Sequence, residues 1–325
     1  MTINKDAASF TMNLTTETLS PDAKGLRRAE RILSSGGLVA FPTETVYGLG
    51  GDARQGKAVA AIFEAKGRPS FNPLIIHVAN LSAARAYAHF NDAALRLAVT
   101  FWPGPLTLVL PMRKDAGLSP LVSAGNPTVA IRVPAHPMAQ ALLTSFAGPI
   151  AAPSANPSGR ISPTRAQHVL NNLSGRIDAV LDGGPTAVGL ESTIIGLSGT
   201  PTLLRPGGLP EEEIARCLGQ DLAGPNPDQI TAPGQLASHY APQAALRLNA
   251  ANAEPGERLL GFGNSPGATL NLSPSGDLRE AAANLFRHLH RLDRDPGPIA
   301  VAPIPDKGLG RAINDRLERA AAPRP

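Results

Sequence analysis

The 325-residue chain holds a single cysteine, Cys217. One thiol excludes a disulfide framework within the chain and any cysteine-rich metal site, and it fits a reducing compartment. Long apolar runs are missing too, since nothing approaches the ~18 apolar residues of a membrane span. The first twenty residues are polar, carry Asp6 and Glu17, and lack the apolar centre of a secretory signal, so a cytoplasmic protein without membrane contact is expected. Charge is nearly balanced. A net charge of +4 permits contact with nucleotides or RNA without demanding it. Glycine and proline are abundant, at 32 each, but they stand between periodic segments and act as turn punctuation in a globular chain. The length allows a full core and about two domains.

What is present centres on Phe41-Pro-Thr-Glu-Thr-Val-Tyr-Gly-Leu-Gly50. A short apolar run, 38–41, ends at Pro42, and Thr43, Glu44, Thr45 and Tyr47 precede a Gly-x-Gly whose glycines suit unusual backbone angles or close approach to a ligand. Lys66 and Arg68 follow one predicted helix later and bring the charge that a phosphate or carboxylate requires.

Residues 1–20 read as a loose tail or an added edge. A helix is predicted from Asp22, with Leu26, Ala29 and Leu33 on one stripe and Gly36-Gly37 at its end. Val59, Ile62 and Phe63 mark a second, which stops near Lys66-Gly67. Residues 74–78 and 129–133 read as buried strands in which His77 and Arg132 are the odd polar members. Ser162-Pro163 supplies an N-cap and an N1 proline for a helix through Leu173. Further strands at 38–41, 106–110, 149–152, 177–181, 192–197 and 202–205 and helices at 92–102, 136–146 and 210–218 imply a sheet of mixed direction, α/β or α+β. Residues 219–243 lose apolar periodicity and read as a linker, yet they contain Ser238-His-Tyr-Ala-Pro242. Beyond it, strands near 246–248, 259–262 and 299–304 alternate with amphipathic helices at 277–292 and 309–317, as in a small doubly wound domain.

Gly51 to Lys57 fits G-x-x-x-x-G-K, but Ala58 stands where a phosphate loop needs a hydroxyl, and no strand is expected directly before it. Arg132 in a β-branched strand must meet an anion, internal or bound, because an unpaired buried guanidinium is costly. Ser154 lacks the G-x-S-x-G elbow of a nucleophile and, beside Asn156, suits hydrogen bonding to phosphate or ribose. Hydroxyls at 43, 154 and 192 with cations at 66, 68, 132 and 205, and no acidic cluster, describe a site for an anion with several negative groups.

FPTETVYGLG (41–50), K-x-R (66–68) with NPLIIHV (72–78), WPGPLTLVL (102–110), TVAIRVPAHP (128–137), APSAN (152–156), SPT (162–164), DGG (182–184), ESTII (191–195) and LRPG (204–207) together resemble the threonylcarbamoyl-AMP synthase (YrdC-like) family. SHYAP (238–242) and the segment 308–320 resemble its longer, two-domain branch. The resemblance implies an α/β protein: a tail at 1–20, a YrdC-like catalytic domain with a twisted mixed sheet flanked by helices at 21–218, a linker or lid at 219–243, and a smaller Rossmann-like domain at 244–325.

The implied reaction turns L-threonine, bicarbonate and ATP into threonylcarbamoyl-AMP and pyrophosphate, the first step toward threonylcarbamoyladenosine in tRNA. Carried over by motif, Thr43, His77, Arg132 and Ser192 contact threonine, with Arg132 meeting its carboxylate. Lys66, Arg68, Thr128, Ser154, Asn156, Ser162 and Arg205 hold ATP, and Tyr240 closes over the nucleotide. Lys66, Arg68 and Arg132 carry the catalytic charge. Mg2+ is expected on the ATP phosphates rather than in a protein cage, and the implied partner is a downstream tRNA threonylcarbamoyl transferase, with tRNA contact open. Two rival readings remain at this point: an RNA-binding module using the same basic cleft without turnover, and a nucleotide-dependent hydrolase using Ser154.

Overall fold

A computed structural model describes residues 14–69, 71–225 and 238–323. Most of the expected tail (1–13) and the middle of the expected linker (226–237) lie outside the described residues.

The chain begins with β1 (Glu17–Leu19), α1 (Ala23–Ser34), β2 (Val39–Phe41), β3 (Gly48–Asp52), α2 (Gly56–Lys66), β4 (Ile75–His77), α3 (Leu81–Ala84) and α4 (Asp92–Phe101). It continues through β5 (Leu106–Pro111), α5 (Pro120–Ser123), β6 (Thr128–Arg132), α6 (Pro137–Phe146), β7 (Ile150–Ala151), α7 (Ala166–Leu173), β8 (Ala179–Leu181), β9 (Thr193–Gly196), β10 (Thr202–Arg205) and α8 (Glu211–Leu218). The last elements are β11 (Leu246–Arg247), β12 (Arg258–Gly261), β13 (Leu270–Asn271), α9 (Leu278–Leu292), β14 (Ile299–Val301) and α10 (Leu309–Ala321).

The first ten strands form one mixed sheet in the order β1-β8-β2-β3-β7-β4-β6-β5-β9-β10. The C-terminal four form a second, all-parallel sheet, β11-β14-β12-β13. Residues 17–19 of the expected tail are therefore an edge strand, paired with β8.

Strand alternation sorts the large sheet's two faces. Ile76, Ile131, Leu108 and Ile195 stand in register across four strands and enter the main core with Ile62, Leu97 and Val169. Further along the same sheet, Val39, Phe41 and Ile150 pack under α1 and α6 through Leu33, Leu142 and Leu143. Asp22 starts α1 by accepting from the backbone N–H groups of Lys24 and Gly25. The core of the C-terminal domain, built on Leu285, Phe286, Leu289, Ile299 and Ile313, also takes in Val46, Ile161, Leu190 and Tyr240. The two domains thus share a continuous apolar interface.

Three local expectations are corrected. Gly48 and Gly50 lie in strand β3, so a strand does precede the phosphate-loop lookalike; a Cβ on Gly50 would come within 2.9 Å of both the Phe41 ring and the Ile150 side chain. The helix expected from Ser162 starts only at Ala166, because the Ser162 hydroxyl donates to Glu191 instead of capping a helix. Strand β13 has no counterpart among the predicted elements.

Candidate functional site

Register places the site. His77, Arg132 and Thr107 are direct neighbours across β4, β6 and β5. The Thr107 hydroxyl reaches Ser192 Oγ at 2.7 Å, just before β9. The next row on that face is Ile75, Ala130, Val109 and Gly196, and its side chains cluster with Ile194, the neighbour of Thr107 on β9, so one end of the sheet face is polar beside an apolar patch. Arg132 donates to Glu44 Oε1 at 2.6 Å, Thr45 Oγ1 at 2.8 Å and the Gly104 carbonyl at 3.3 Å. Its anion is therefore internal at least in part. Glu44 also accepts from the Ala135 backbone N–H at 3.0 Å, which ties the 43–45 turn to the end of β6. Thr43 spends its hydroxyl inside that turn, on Val46 O at 2.6 Å.

The cations arrive from α2. Gly67, with φ 58°, closes the helix in the left-handed conformation, and the N–H groups of Gly67 and Arg68 bond back to Glu64 and Phe63. That turn leaves Lys66 and Arg68 pointing under the 152–157 loop and at the cavity. Lys66 Nζ donates to the carbonyls of Ser154, at 2.5 Å, and Asn156. Arg68 is steadied by the carbonyls of Asn72 and Pro73. Arg205, from the end of β10, holds the Ser192 carbonyl at 2.8 Å. Gly207 beyond it must be a glycine, since a Cβ there would come within 2.5 Å of the backbone of Glu191 to Thr193.

The third wall comes from the other domain. Tyr240, 1% exposed and at φ 62°, stacks on His239 at 4.1 Å and leans on Phe286 at 5.7 Å. The Arg316 guanidinium of α10 lies 4.9 Å from its ring centre. Arg316 Nε donates to Glu191 Oε2 at 2.8 Å, while Ser162 Oγ donates to the other oxygen of Glu191 at 2.5 Å.

Eight of the expected residues line one cavity: Thr43, Arg68, His77, Arg132, Ser154, Ser192, Arg205 and Tyr240. Lys66, Asn156 and Ser162 are buried behind it and shape it through the bonds above. Thr128 is set apart. It shares the face of Arg132 but lies four residues back along β6, about 13 Å at strand rise. In the sequence Glu44 and Thr45 are named with the 41–50 stretch but given no role, and Thr107, Glu191, His239 and Arg316 are not singled out. Glu191, His239 and Arg316 sit inside the ESTII, SHYAP and 308–320 stretches already noted, and Thr107 inside WPGPLTLVL.

Electrostatically the cavity is short of negative charge. Burial drives the Lys66 ammonium well below its ordinary value, and Arg68 adds repulsion. Burial also lowers Arg68 to about 10 and depresses Arg205. His239 is held well below the imidazole range by burial and then by Arg68, Lys66, Arg205 and Arg316. His77 falls to about 3 through burial and the Arg132 charge, so it is a neutral ring at physiological pH. Glu191 resists its burial and stays ionised because Arg316 and Arg205 face it. His77 Nδ1, His239 Nδ1, Tyr240 Oη and Asn156 Oδ1 are buried with no hydrogen-bond partner among the described residues. Each such group costs ~1–3 kcal/mol, which a bound ligand can offset. Among the described residues no group of three His, Cys, Asp or Glu side chains could hold a metal ion.

A two-domain α/β protein with a hydroxyl- and guanidinium-lined cavity closed by an interdomain segment is of the class that binds a multiply charged anionic substrate away from water. Comparisons with known proteins narrow the class. The family profile described as "Telomere recombination" (Sua5, YciO, YrdC) matches residues 31–207, and that of the threonylcarbamoyl-AMP synthase C-terminal domain matches residues 209–322. The threonylcarbamoyl-AMP synthase of Bacillus subtilis is 41% identical over 95% of this chain and 96% of its own length. That of Pyrococcus abyssi is 42% identical over 91% of this chain and 94% of its own. The crystal structure of P. abyssi Sua5 complexed with L-threonine superposes with a TM-score of 0.86 at 39% identity, covering 94% of this chain and 97% of that one. The chain belongs to the threonylcarbamoyl-AMP synthase family, in its two-domain form.

Proposed function

We propose that this chain is an L-threonylcarbamoyladenylate synthase, and that the cavity between the β4–β6–β5 row and the Tyr240 segment is where it works. The observation that carries the reading is the meeting, at one site, of a neutral polar row (His77, Thr107, Ser192) with a wall of buried cations (Arg68, Arg205, and Lys66 behind them). The row suits an amino acid and the cations suit the phosphates of ATP. The P. abyssi relative, with L-threonine bound, supports the first half.

The threonine amine adds to bicarbonate with loss of water. The resulting carbamate oxygen attacks the α-phosphorus of ATP, and pyrophosphate leaves. No enzyme nucleophile is needed. His77, neutral and with an unpartnered nitrogen, orients threonine by hydrogen bonding and does not take up the ammonium proton. Thr43 and Ser192 lie beside it, and the N–H groups that Arg132 keeps after meeting Glu44 are available to the threonine carboxylate. Arg68, Arg205 and Ser154 face the phosphates and stabilise charge that builds during displacement. Lys66 fixes the 154–156 backbone, and its depressed affinity for a proton rises again once an anion arrives. Asn156 and Ser162 complete that wall, and Thr128, two rows away, lies within reach only of the far end of a nucleotide. Mg2+ would be held mainly by the ATP phosphates, since among the described residues no cluster of carboxylates or imidazoles offers it a cage, and would neutralise charge on the leaving pyrophosphate.

The cavity as closed encloses about 50 Å³, against the several hundred of a typical ligand site. Substrates therefore enter with the 238–242 segment lifted, and its return excludes water from a hydrolysable mixed anhydride. The product passes to a transferase that acts on tRNA. The deciding assay is pyrophosphate release from ATP with threonine and bicarbonate each left out in turn. Release that persists without threonine would sink the synthase reading.

A further inference from the structure

On the far side of the interdomain interface, where the His168 ring of α7 stacks 3.9 Å from that of His290 on α9, a second recess of about 340 Å³ opens. Its walls are Arg165 and His168 from one domain and Arg287, His288, Arg291 and Arg294 from the other. It shares no residue with the catalytic cavity. Four guanidinium groups meet there with no carboxylate among the lining residues, and among the described residues none of the four is in a salt bridge. Of the nearby acids, Asp293 accepts from the Ala244 N–H at 2.9 Å and Glu280 from Ser273 Oγ at 2.5 Å, while Asp295, next to Arg294, is not part of the lining.

A row of exposed arginines on a helix is usually a solvated face. Two features set this one apart. The charges converge on a concavity whose floor holds a buried imidazole, His168, rather than spreading over a convex surface. The Nδ1 atom of His288, in the same wall, is buried without a hydrogen-bond partner among the described residues. Burial, with His290 and then Arg165 and Arg294 beside it, holds His168 at about 3, and burial with Arg287 and Arg291 holds His288 at about 4, so the recess refuses further positive charge as it stands.

We propose that this recess is a second anion site, which takes a compact phosphate chain: inorganic pyrophosphate or triphosphate, or the phosphate end of a nucleotide. Guanidinium forks supply paired donors to phosphate oxygens from three directions, and the His288 nitrogen adds a further polar contact. Because Arg165 and the α9 arginines belong to different domains, a ligand held there bridges them.

The test is calorimetric titration of the full-length protein with inorganic triphosphate at low salt. Two classes of site are expected, one in the catalytic cavity and one in the recess. Arg291→Glu with Arg294→Glu, both at exposed positions, should remove the recess class or weaken it at least about tenfold while keeping the other. Arg68→Ala with Arg205→Ala should do the reverse. The milder Arg291→Gln, with a melting curve matching the parent, guards against a folding defect. A single class unchanged by the α9 substitutions overturns the proposal. So does binding of an RNA hairpin through Arg291 and Arg294 that triphosphate fails to displace, which would make the recess a nucleic-acid face. Either outcome leaves the synthase reading standing, because that rests on the other cavity.

Discussion

Arg316 of α10 and Glu191 before β9 are joined at 2.8 Å across the domain boundary, with the arginine side chain wholly buried. The pair does more than connect. Glu191 also fixes Ser162, and Arg316 lies against the Tyr240 ring and holds the Pro206 carbonyl at 2.9 Å. Removing one partner of a buried ion pair costs ~3–5 kcal/mol, because the other is left uncompensated. Arg316→Met is expected to lower stability by that order in urea denaturation. Adding Glu191→Gln to it should recover part of the loss, as a double-mutant cycle would show.

Glu44 positions Arg132. Glu44→Ala should lower kcat/KM about 10- to 100-fold and weaken the fold, since the buried guanidinium of Arg132 loses its 2.6 Å partner. Glu44→Gln keeps an oxygen for Arg132 but puts an NH2 where Oε2 accepts from the Ala135 N–H, so a loss smaller than that of the alanine variant is expected. Steady-state kinetics with varied threonine, alongside melting curves, separates the two effects. Equal activity in all three proteins would remove Glu44 from the machinery.

Tyr240 offers a split between packing and hydroxyl. Tyr240→Phe keeps the contacts with His239, Phe286 and Arg316 and deletes an unpartnered buried oxygen, so stability should hold or rise. ATP affinity should fall about 2- to 10-fold if that hydroxyl meets the ligand. Tyr240→Ala should cost ~3–5 kcal/mol of stability and most of the activity. Isothermal titration with ATP and a melting curve for each variant decide between them.

Acid should loosen the protein before its carboxylates protonate. His77 and His168 at about 3 and His290 at about 4 bind protons in the unfolded chain from pH ~6.5 downward but not in the folded one. Since the unfolded state then holds more protons, stability is full above pH ~7 and falls as pH drops from ~6.5 toward 4. Melting temperatures across that window should show the slope. His290→Gln should flatten it; an unchanged profile would show that the His168–His290 contact does not titrate with unfolding.

The strands and helices of the large sheet were readable because their causes are local. A β-branched run interrupted once, at His77 or Arg132, is visible in five residues, and so is the amphipathic stripe of α9. Hydroxyls and cations bunched at strand ends were also enough to mark a site for an anion. Where windows of a few residues misled, a distant partner had intervened. Gly50 is a glycine because Phe41 and Ile150 close over it, and Ser162 caps no helix because Glu191 takes its hydroxyl. Thr128 belongs to a site motif by its neighbours in sequence, but the strand rise carries it out of the cavity.

Composition and periodicity, then, determined the class of fold and marked the polar strand ends. Which charge meets which was settled only when the chain returned on itself. Glu44 finds Arg132 across 88 residues and Glu191 finds Arg316 across 125, through register and an interdomain core. Those placements are sums over many weak apolar contacts that no short stretch contains, which is why the arginine that each of these two carboxylates meets was invisible in the sequence.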